Sequence, residues 1–298
     1  PGSEVAVLQY TGGTTGIAKG AMLTHRNLVA NMLQSKALMG SNLGEGCETV
    51  ICPLPLYHIY AFTFHCMAMM LIGNHNILIS NPRDLPAMVK ELSKWKFSGF
   101  VGLNTLFVAL CNNEGFRKLD FSALKVTLSG GMALQLAAAE RWKAVTGCAI
   151  CEGYGMTETS PVVSVNPFQN IQIGTIGIPV PSTSCKVVDD EGKDLGIGAI
   201  GELCVQGPQV MKGYWQRPEA TAEVLDRDGW LRTGDIEPYL PFLKAATPVF
   251  AILAGAVFHV TGLYRGVWRY ASINDLIALM ILGVLGVLMK RFGLNKHL

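Results

Sequence analysis

Residues 8–31 read LQYTGGTTGIAKGAMLTHRNLVAN, and the run from Tyr10 to Ala21 decides what kind of chain this is. Gly12, Gly13, Gly16 and Gly20 are interleaved with Thr11, Thr14 and Thr15, and Lys19 stands near the end of the run. Glycine lets the backbone bend tightly and turn successive N–H groups towards one point. The threonine hydroxyls add donors and the lysine adds a positive charge, so the loop suits a polyphosphate. It follows Val5–Gln9, which reads as a buried strand. It precedes a helix that Thr24 can cap and that runs to about Met39, with Leu28, Met32 and Leu33 on one face. A Walker A loop is excluded. That motif needs Gly-Lys and then Ser or Thr, whereas here Ala18 precedes Lys19 and Gly20 follows it.

Outward from the loop, short apolar runs alternate with helical periodicity. Thr49–Pro53, Asn76–Ser80, Ser98–Val101, Lys125–Ser129 and Cys148–Glu152 read as strands. Tyr60–Leu71, Asp84–Trp95, Asn104–Asn112 and Leu134–Val145 read as helices. Strand alternating with helix implies an α/β fold, a mostly parallel sheet covered by helices. After Pro161 the runs shorten and Gly and Pro become frequent, as in CKVVD, GELCVQG and GWLRTGD, which fits a smaller β-rich subdomain. The expected divisions are 1–160, 161–237 and an apolar tail over 238–298. Gly196-Ile-Gly198-Ala-Ile-Gly201 is a literal G-x-G-x-x-G, but a dinucleotide site needs a strand before it and a helix after it. Here the turn-forming DDEGKDLG precedes it and the strand-like ELCVQG follows.

The chain has 298 residues, half of them hydrophobic and only 15% charged, with a net charge of +2. So small a balance gives no support to nucleic-acid binding. Eight cysteines lie mostly in apolar runs, which suits reduced, buried thiols. Cys148 and Cys151 form one C-x-x-C pair, with no second pair at ligand spacing, so the pair reads as structural. His25 and His65 read as structural too, and nothing points to zinc. The N-terminus has no basic region followed by an apolar one, unlike a signal peptide, and begins one short strand before the loop.

Five ordered motifs carry a family resemblance. The Thr11–Gly20 loop resembles the phosphate loop of the adenylate-forming enzymes, which include acyl-CoA synthetases, luciferases and peptide-synthetase adenylation domains. The wider 8–31 segment resembles bacterial long-chain fatty acyl-CoA ligases. PLPLYHIYAFT (53–63), SGGMAL (129–134), EGYGMTET (152–159) and the pair GELCVQGPQVMKGYWQRPEAT (201–221) and GWLRTGD (229–235) resemble the later motifs in the same order. The resemblance implies part of an adenylate-forming large domain. Its reaction joins a fatty acid to CoA with ATP, through an acyl-adenylate, and Mg²⁺ assists.

Chemistry and resemblance together nominate the site. Glu158 suits Mg²⁺, which takes hard oxygens and usually one or two carboxylates beside phosphate. The resemblance adds Thr11 as the second group near that metal. It places Thr14, Thr15 and Lys19 on the phosphates and Thr157 at the α-phosphate. Tyr154 is implied to stack on adenine, with Gly130, Gly131 and Gly153 permitting close approach and Gly12, Gly13, Gly16 and Glu152 completing the nucleotide cradle. Asp235 is implied to accept from both ribose hydroxyls, a task suited to an acceptor-only carboxylate. His58 is implied to lie beside the acyl group. Taken singly, Glu158 could be a helix N-terminal acid, Asp235 a turn former and Tyr154 a core aromatic. Two other readings stay open: an adenylate-former for another carboxylic acid, or a catalytically inactive nucleotide-binding membrane protein.

From Pro238 the character changes. The family's pattern continues to an Asp-Arg-Lys hinge and a small domain carrying a lysine, whereas here GDIE runs into PYLPFLKAATPVFAIL. This, with the abrupt start, reads as a truncated ligase with impaired turnover. Ala245–Leu263 is apolar apart from Thr247, His259 and Thr261, and is just long enough to span a bilayer. YRGVWRY and a second apolar run, Leu276–Met289, follow, closed by Lys290 and Arg291, which suggests a helical hairpin at the cytoplasmic face of a membrane. FHVTGLYRGVWRYASINDL resembles the membrane region of nucleotide-sugar epimerase/dehydratases. LIALMILGVLGVLMKRFGLN resembles a terminal helix of tricarboxylate transporters.

Overall fold

The computed structural model describes residues 2–11, 18–195 and 199–236. Outside them lie Gly12, Gly13, Thr14, Thr15 and Gly16 of the loop, the first residues of the Gly196–Gly201 turn, and the whole 238–298 tail. Pro1–Glu237 forms one compact unit.

Strand β1 (Val5–Thr11) pairs antiparallel with β2 (Lys19–Thr24), Thr11 opposite Lys19 and Tyr10 opposite Gly20. The glycine loop therefore connects a hairpin, and it does not run from strand directly to helix. Nor is β1 buried: Val5, Leu8 and Tyr10 are exposed. A two-stranded ribbon can pack one face only. Ala21 and Leu23 of β2 take the interior, in one cluster with Val163, Leu203, Val205 and Tyr214.

Helix α1 (His25–Met39) begins at a capping box. Thr24 Oγ1 accepts from the Asn27 N–H, and Asn27 Oδ1 accepts from the Thr24 N–H. Leu28 is buried as expected, but Leu33 is 51% exposed. The face that turns inward is largely polar: Asn27, Asn31, Gln34 and Ser35. Asn27 donates to the carbonyls of Pro208 and Val210, Gln34 donates to Pro181 O, and Asn31 both donates to Val162 O and accepts from Val162 N. The helix is a hydrogen-bonding strut between loops, so apolar spacing alone misplaces its inner face.

The main sheet holds β3 (Thr49–Cys52), β4 (His75–Leu78), β5 (Gly99–Gly102), β6 (Val126–Ser129), β7 (Ile150–Gly155), β8 (Val162–Val165) and β9 (Ile178–Pro179). Their order is β4-β3-β5-β6-β7-β8-β9. The first five neighbours are parallel, and β8 and β9 add antiparallel pairs. The two strands after Pro161 thus extend this sheet. A separate antiparallel sheet holds β10 (Ser184–Val188), β11 (Glu202–Gln206) and β12 (Leu231–Ile236).

The connections are α2 (Ile59–Ala61), which runs on as a π-helical stretch Phe62–Met69, then α3 (Leu85–Leu92), α4 (Asn104–Asn112) and α5 (Leu136–Thr146); α6 (Pro218–Val224) lies near the end. Successive strand residues feed opposite faces of the sheet. Ile51, Phe100 and Ile150 pack with α3, α4 and α5 around the buried Trp142. Val50, Val101 and Cys151 pack with Met39, Phe64, Ala68 and Met69 on the other side. A parallel sheet covered on both faces needs such continuous apolar strands. Cys148 and Cys151 are both buried, and burial pushes the Cys151 thiol up to about 12. Among the described residues no helix is long and apolar enough to cross a membrane.

Candidate active site

In open α/β sheets ligands gather beyond the carboxyl ends of the strands. Here the residues just past β6 and at the end of β7, Gly130, Gly131 and Tyr154 to Glu158, line a cavity of about 400 Å³. The hairpin contributes Gln9, Tyr10 and Thr11, and His58, Ile59 and Tyr60 come from the segment that opens α2. The cavity has two kinds of wall. Thr11, Gly130, Gly131, Thr157 and Glu158 make one part polar and glycine-rich, while Leu38, Met39, Phe64, Leu128, Val165 and Phe168 make another apolar.

Several nominated residues come together there. Thr11, His58, Gly130, Gly131, Gly153, Tyr154, Thr157 and Glu158, scattered over nearly 150 residues of sequence, all line this cavity. The glycines serve different ends. Gly131 sits at φ +81°, a conformation costly for other residues. A Cβ on Gly130 would lie 3.3 Å from the Tyr60 ring, beside the cavity. A Cβ on Gly153 would lie 3.2 Å from Val165 Cγ2, so strand packing requires that glycine as much as any ligand does. Gly155, which the sequence reading passed over, is the tightest of those lining the cavity: a Cβ there would lie 2.1 Å from Pro161 O.

Glu152 lies away from the cavity wall. Its Oε1 accepts from the Leu134 N–H at 3.0 Å and its Oε2 from the Gly174 N–H at 2.9 Å. With both oxygens engaged, this carboxylate ties two loops to β7. Asp235 is also outside the lining, but it is joined to it: the Tyr154 hydroxyl donates to Asp235 Oδ2 at 2.6 Å. Burial, then this carboxylate, pushes the Tyr154 pKa upward and keeps the phenol protonated. Glu202 steadies the turn before Asp235, accepting from Arg232 Nε and from the Gly234 N–H.

Glu158 is buried at 6% exposure, and its Oε1 accepts from the Tyr214 hydroxyl at 2.6 Å. Among the described residues its Oε2 has no partner. Lys19 Nζ lies 5.0 Å from the centre of the Tyr214 ring. His58 caps α2, its Nδ1 accepting from the Tyr60 N–H at 3.2 Å. Its ring is exposed by surface area, yet the surrounding protein desolvates it enough to lower its pKa. A neutral His58 at the cavity edge therefore accepts a hydrogen bond more readily than it carries charge. Among the described residues no cluster of three or more His, Cys, Asp or Glu could hold a metal ion. Tyr214 and the apolar wall escaped the sequence reading. Tyr214 lay inside a quoted motif without a signal of its own, and the wall is assembled from α1, the π-helical stretch, β6, β8 and the loop after it.

A family model described as AMP-binding enzyme matches residues 1–215. The long-chain-fatty-acid–CoA ligase of Salmonella typhimurium is 56% identical over 234 residues, covering 78% of this chain and 42% of that protein. The Bacillus subtilis protein of the same name is 41% identical over 238 residues, covering 79% of this chain and 42% of its own length. Among solved structures, ATP-bound MatB from Rhodopseudomonas palustris is similar with a TM-score of 0.70 at 30% identity, covering 79% of this chain and 46% of that one. A long-chain-fatty-acid-CoA ligase from Archaeoglobus fulgidus gives 0.67 at 29%, covering 79% and 49%. The chain spans 42% of the length of these curated relatives.

Proposed function

The chain belongs to the AMP-binding enzyme family, and from that premise we propose that its cavity is the ATP and acyl site of a long-chain fatty acid–CoA ligase. The observation that carries this reading is the two-part cavity, apolar at Leu38, Met39, Phe64 and Phe168 and polar at Thr11, Thr157 and Glu158. A fatty acid has this same division. Its chain fits the apolar wall and its carboxylate meets ATP at the glycine-rich end.

In the first step a carboxylate oxygen attacks the α-phosphorus of ATP, the bond to pyrophosphate breaks, and acyl-adenylate forms. In the second the CoA sulfur attacks the acyl carbon and AMP leaves. Both first-step reactants are anionic, so the protein's work is orientation and charge neutralisation. Lys19, with Thr14 and Thr15 of the loop, serves the phosphates. Thr157 serves the α-phosphate, and Tyr154 with Asp235 serves the nucleoside. The oxygens of Glu158 and Thr11 suit a hard cation, and Glu158 keeps Oε2 without a described partner. Bound Mg²⁺ would draw off negative charge from the phosphates.

A long-chain acyl-sulfamoyl adenosine, which mimics the adenylate, tests the proposal by isothermal titration. It binds at least about tenfold more tightly than its acetyl counterpart, because each buried CH₂ contributes about 0.8 kcal/mol. Equal affinities would sink the fatty-acid assignment, and preference for an aryl analogue would move it to another acid. Acyl-CoA formation by the purified chain measures activity itself. The apolar run Ala245–Leu263 supports membrane association of the tail. Flotation of the full chain with lipid vesicles, against a chain ending at Glu237, tests that; equal flotation refutes it.

A further inference from the structure

Tyr214 is 7% exposed and touches both Glu158, which lines the cavity, and Lys19, the first residue of β2. Its hydroxyl donates to Glu158 Oε1, and its ring lies beneath the Lys19 ammonium. These two contacts come from distant parts of the chain, and the segment around Tyr214 holds both parts by its backbone. The Met211 N–H donates to Glu158 O; the Lys212 and Trp215 N–H groups donate to Met22 O and Gly20 O; and Gly213 O accepts from the Met22 N–H. Tyr214 itself bridges to Ala21 of β2. Residues 211–215 thus form a short extra strip that fixes the distance from the phosphate hairpin to the Glu158 turn.

We propose that Tyr214 is the positioning residue of this corner: its hydroxyl fixes the Glu158 carboxylate with Oε2 free for the cation, and its ring holds Lys19 towards the phosphates. The inference rests on the nucleotide reading above. A carboxylate that binds a metal is itself oriented by hydrogen bonds behind it, and loss of such a partner typically costs about 10–100-fold in metal affinity. The ring's attraction for the ammonium is a separate contribution, since ammonium groups favour the face of an aromatic.

Titration of the full chain with ATP, in chelator and then in magnesium, separates the two contributions. In Tyr214→Phe, which keeps the ring, metal-free ATP affinity stays within about twofold and the gain on adding magnesium falls about tenfold. In Tyr214→Leu the metal-free affinity also falls, by about threefold. A Phe variant with the full magnesium gain overturns the hydroxyl's role, and a Leu variant with unchanged metal-free affinity overturns the ring's. Circular dichroism checks folding; if the Leu variant is unfolded, Tyr214→Met, a longer apolar side chain that also lacks an aromatic face and leaves Lys19 in place, replaces it. Failure of the wild-type chain to bind ATP in either condition would instead overturn the nucleotide reading, visible before any variant is measured.

Discussion

At the residue scale, two positions give separable predictions. His65 is 1% exposed in the π-helical stretch, with Nδ1 2.8 Å from Asn76 Oδ1 and Nε2 without a partner among the described residues. Burial lowers its pKa from 6.5 to about 4, against a smaller opposing effect from Asn76. A base with a depressed folded pKa binds its proton more readily when unfolded. Its neutral form is therefore fully compatible with folding above pH 6.5, and stability is lost as pH falls from there towards 4. The loss amounts to about 3 kcal/mol. Urea denaturation at several pH values shows the slope, and His65→Gln flattens it; an unchanged slope would assign the loss to other groups. Gly155→Ala places a methyl against Pro161 O, and overpacking of this kind costs about 1–3 kcal/mol, with the upper end expected here. Denaturation midpoints measure it, and Gly2→Ala, whose Cβ would meet only Arg26 Cβ at 3.9 Å, is the control without overpacking.

At the element scale, α1 decides how the hairpin, β8 and the loop after β11 are held together. Asn31→Leu leaves the Val162 N–H without its side-chain partner and the Val162 C=O with only the long 3.5 Å bond from Gln209 Nε2, and an unsatisfied buried group costs about 1–3 kcal/mol. Leu33→Ala, by contrast, changes stability by no more than about 0.5 kcal/mol, because its side chain faces solvent. Apolar periodicity ranks these two the other way round, so the pair measured by thermal or urea unfolding tests the polar strut directly. The same element shows what was legible and why. Thr24 as the N-cap and Met39 as the end were readable, since capping is a local geometric requirement. The inner face was not, because Asn31 and Gln34 are satisfied by Val162 and Pro181, more than 130 residues away. The strand β2 was hidden for a related reason: KGAMLT reads as the helix approach until Val5–Thr11 is there to pair with it.

At the scale of the whole molecule, the cavity draws its described lining from Gln9 to Phe168, within the compact unit Pro1–Glu237. Removal of residues 238–298 therefore leaves ATP affinity within about twofold. It also leaves ligand stabilisation intact, which at a hundredfold excess over Kd is about 2.7 kcal/mol. Thermal shift with and without ATP on both chains measures this, and loss of the shift in the shorter chain would place part of the site in the tail. The site itself was partly legible. Thr11, His58, Gly131, Tyr154, Thr157 and Glu158 were nominated from separate motifs, and the fold gathers them round one cavity. Glu152 was nominated on the same footing and lies elsewhere, bonded to Leu134 and Gly174.

The sequence by itself determined the sheet's parallel core and the position of the glycine-rich loop. It also nominated the residue types suited to a polyphosphate. Strand and helix periods, capping and glycine content act over a few residues and can be read locally. Only the tertiary structure decided that the loop joins a hairpin, that α1 turns a polar face inward, and that β8 and β9 belong to the main sheet. Only there does Glu158 gain Tyr214, and Tyr154 gain Asp235, as partners. Those choices depend on pairings between residues up to 183 positions apart, where each buried N–H or C=O must find its partner and no local pattern names it.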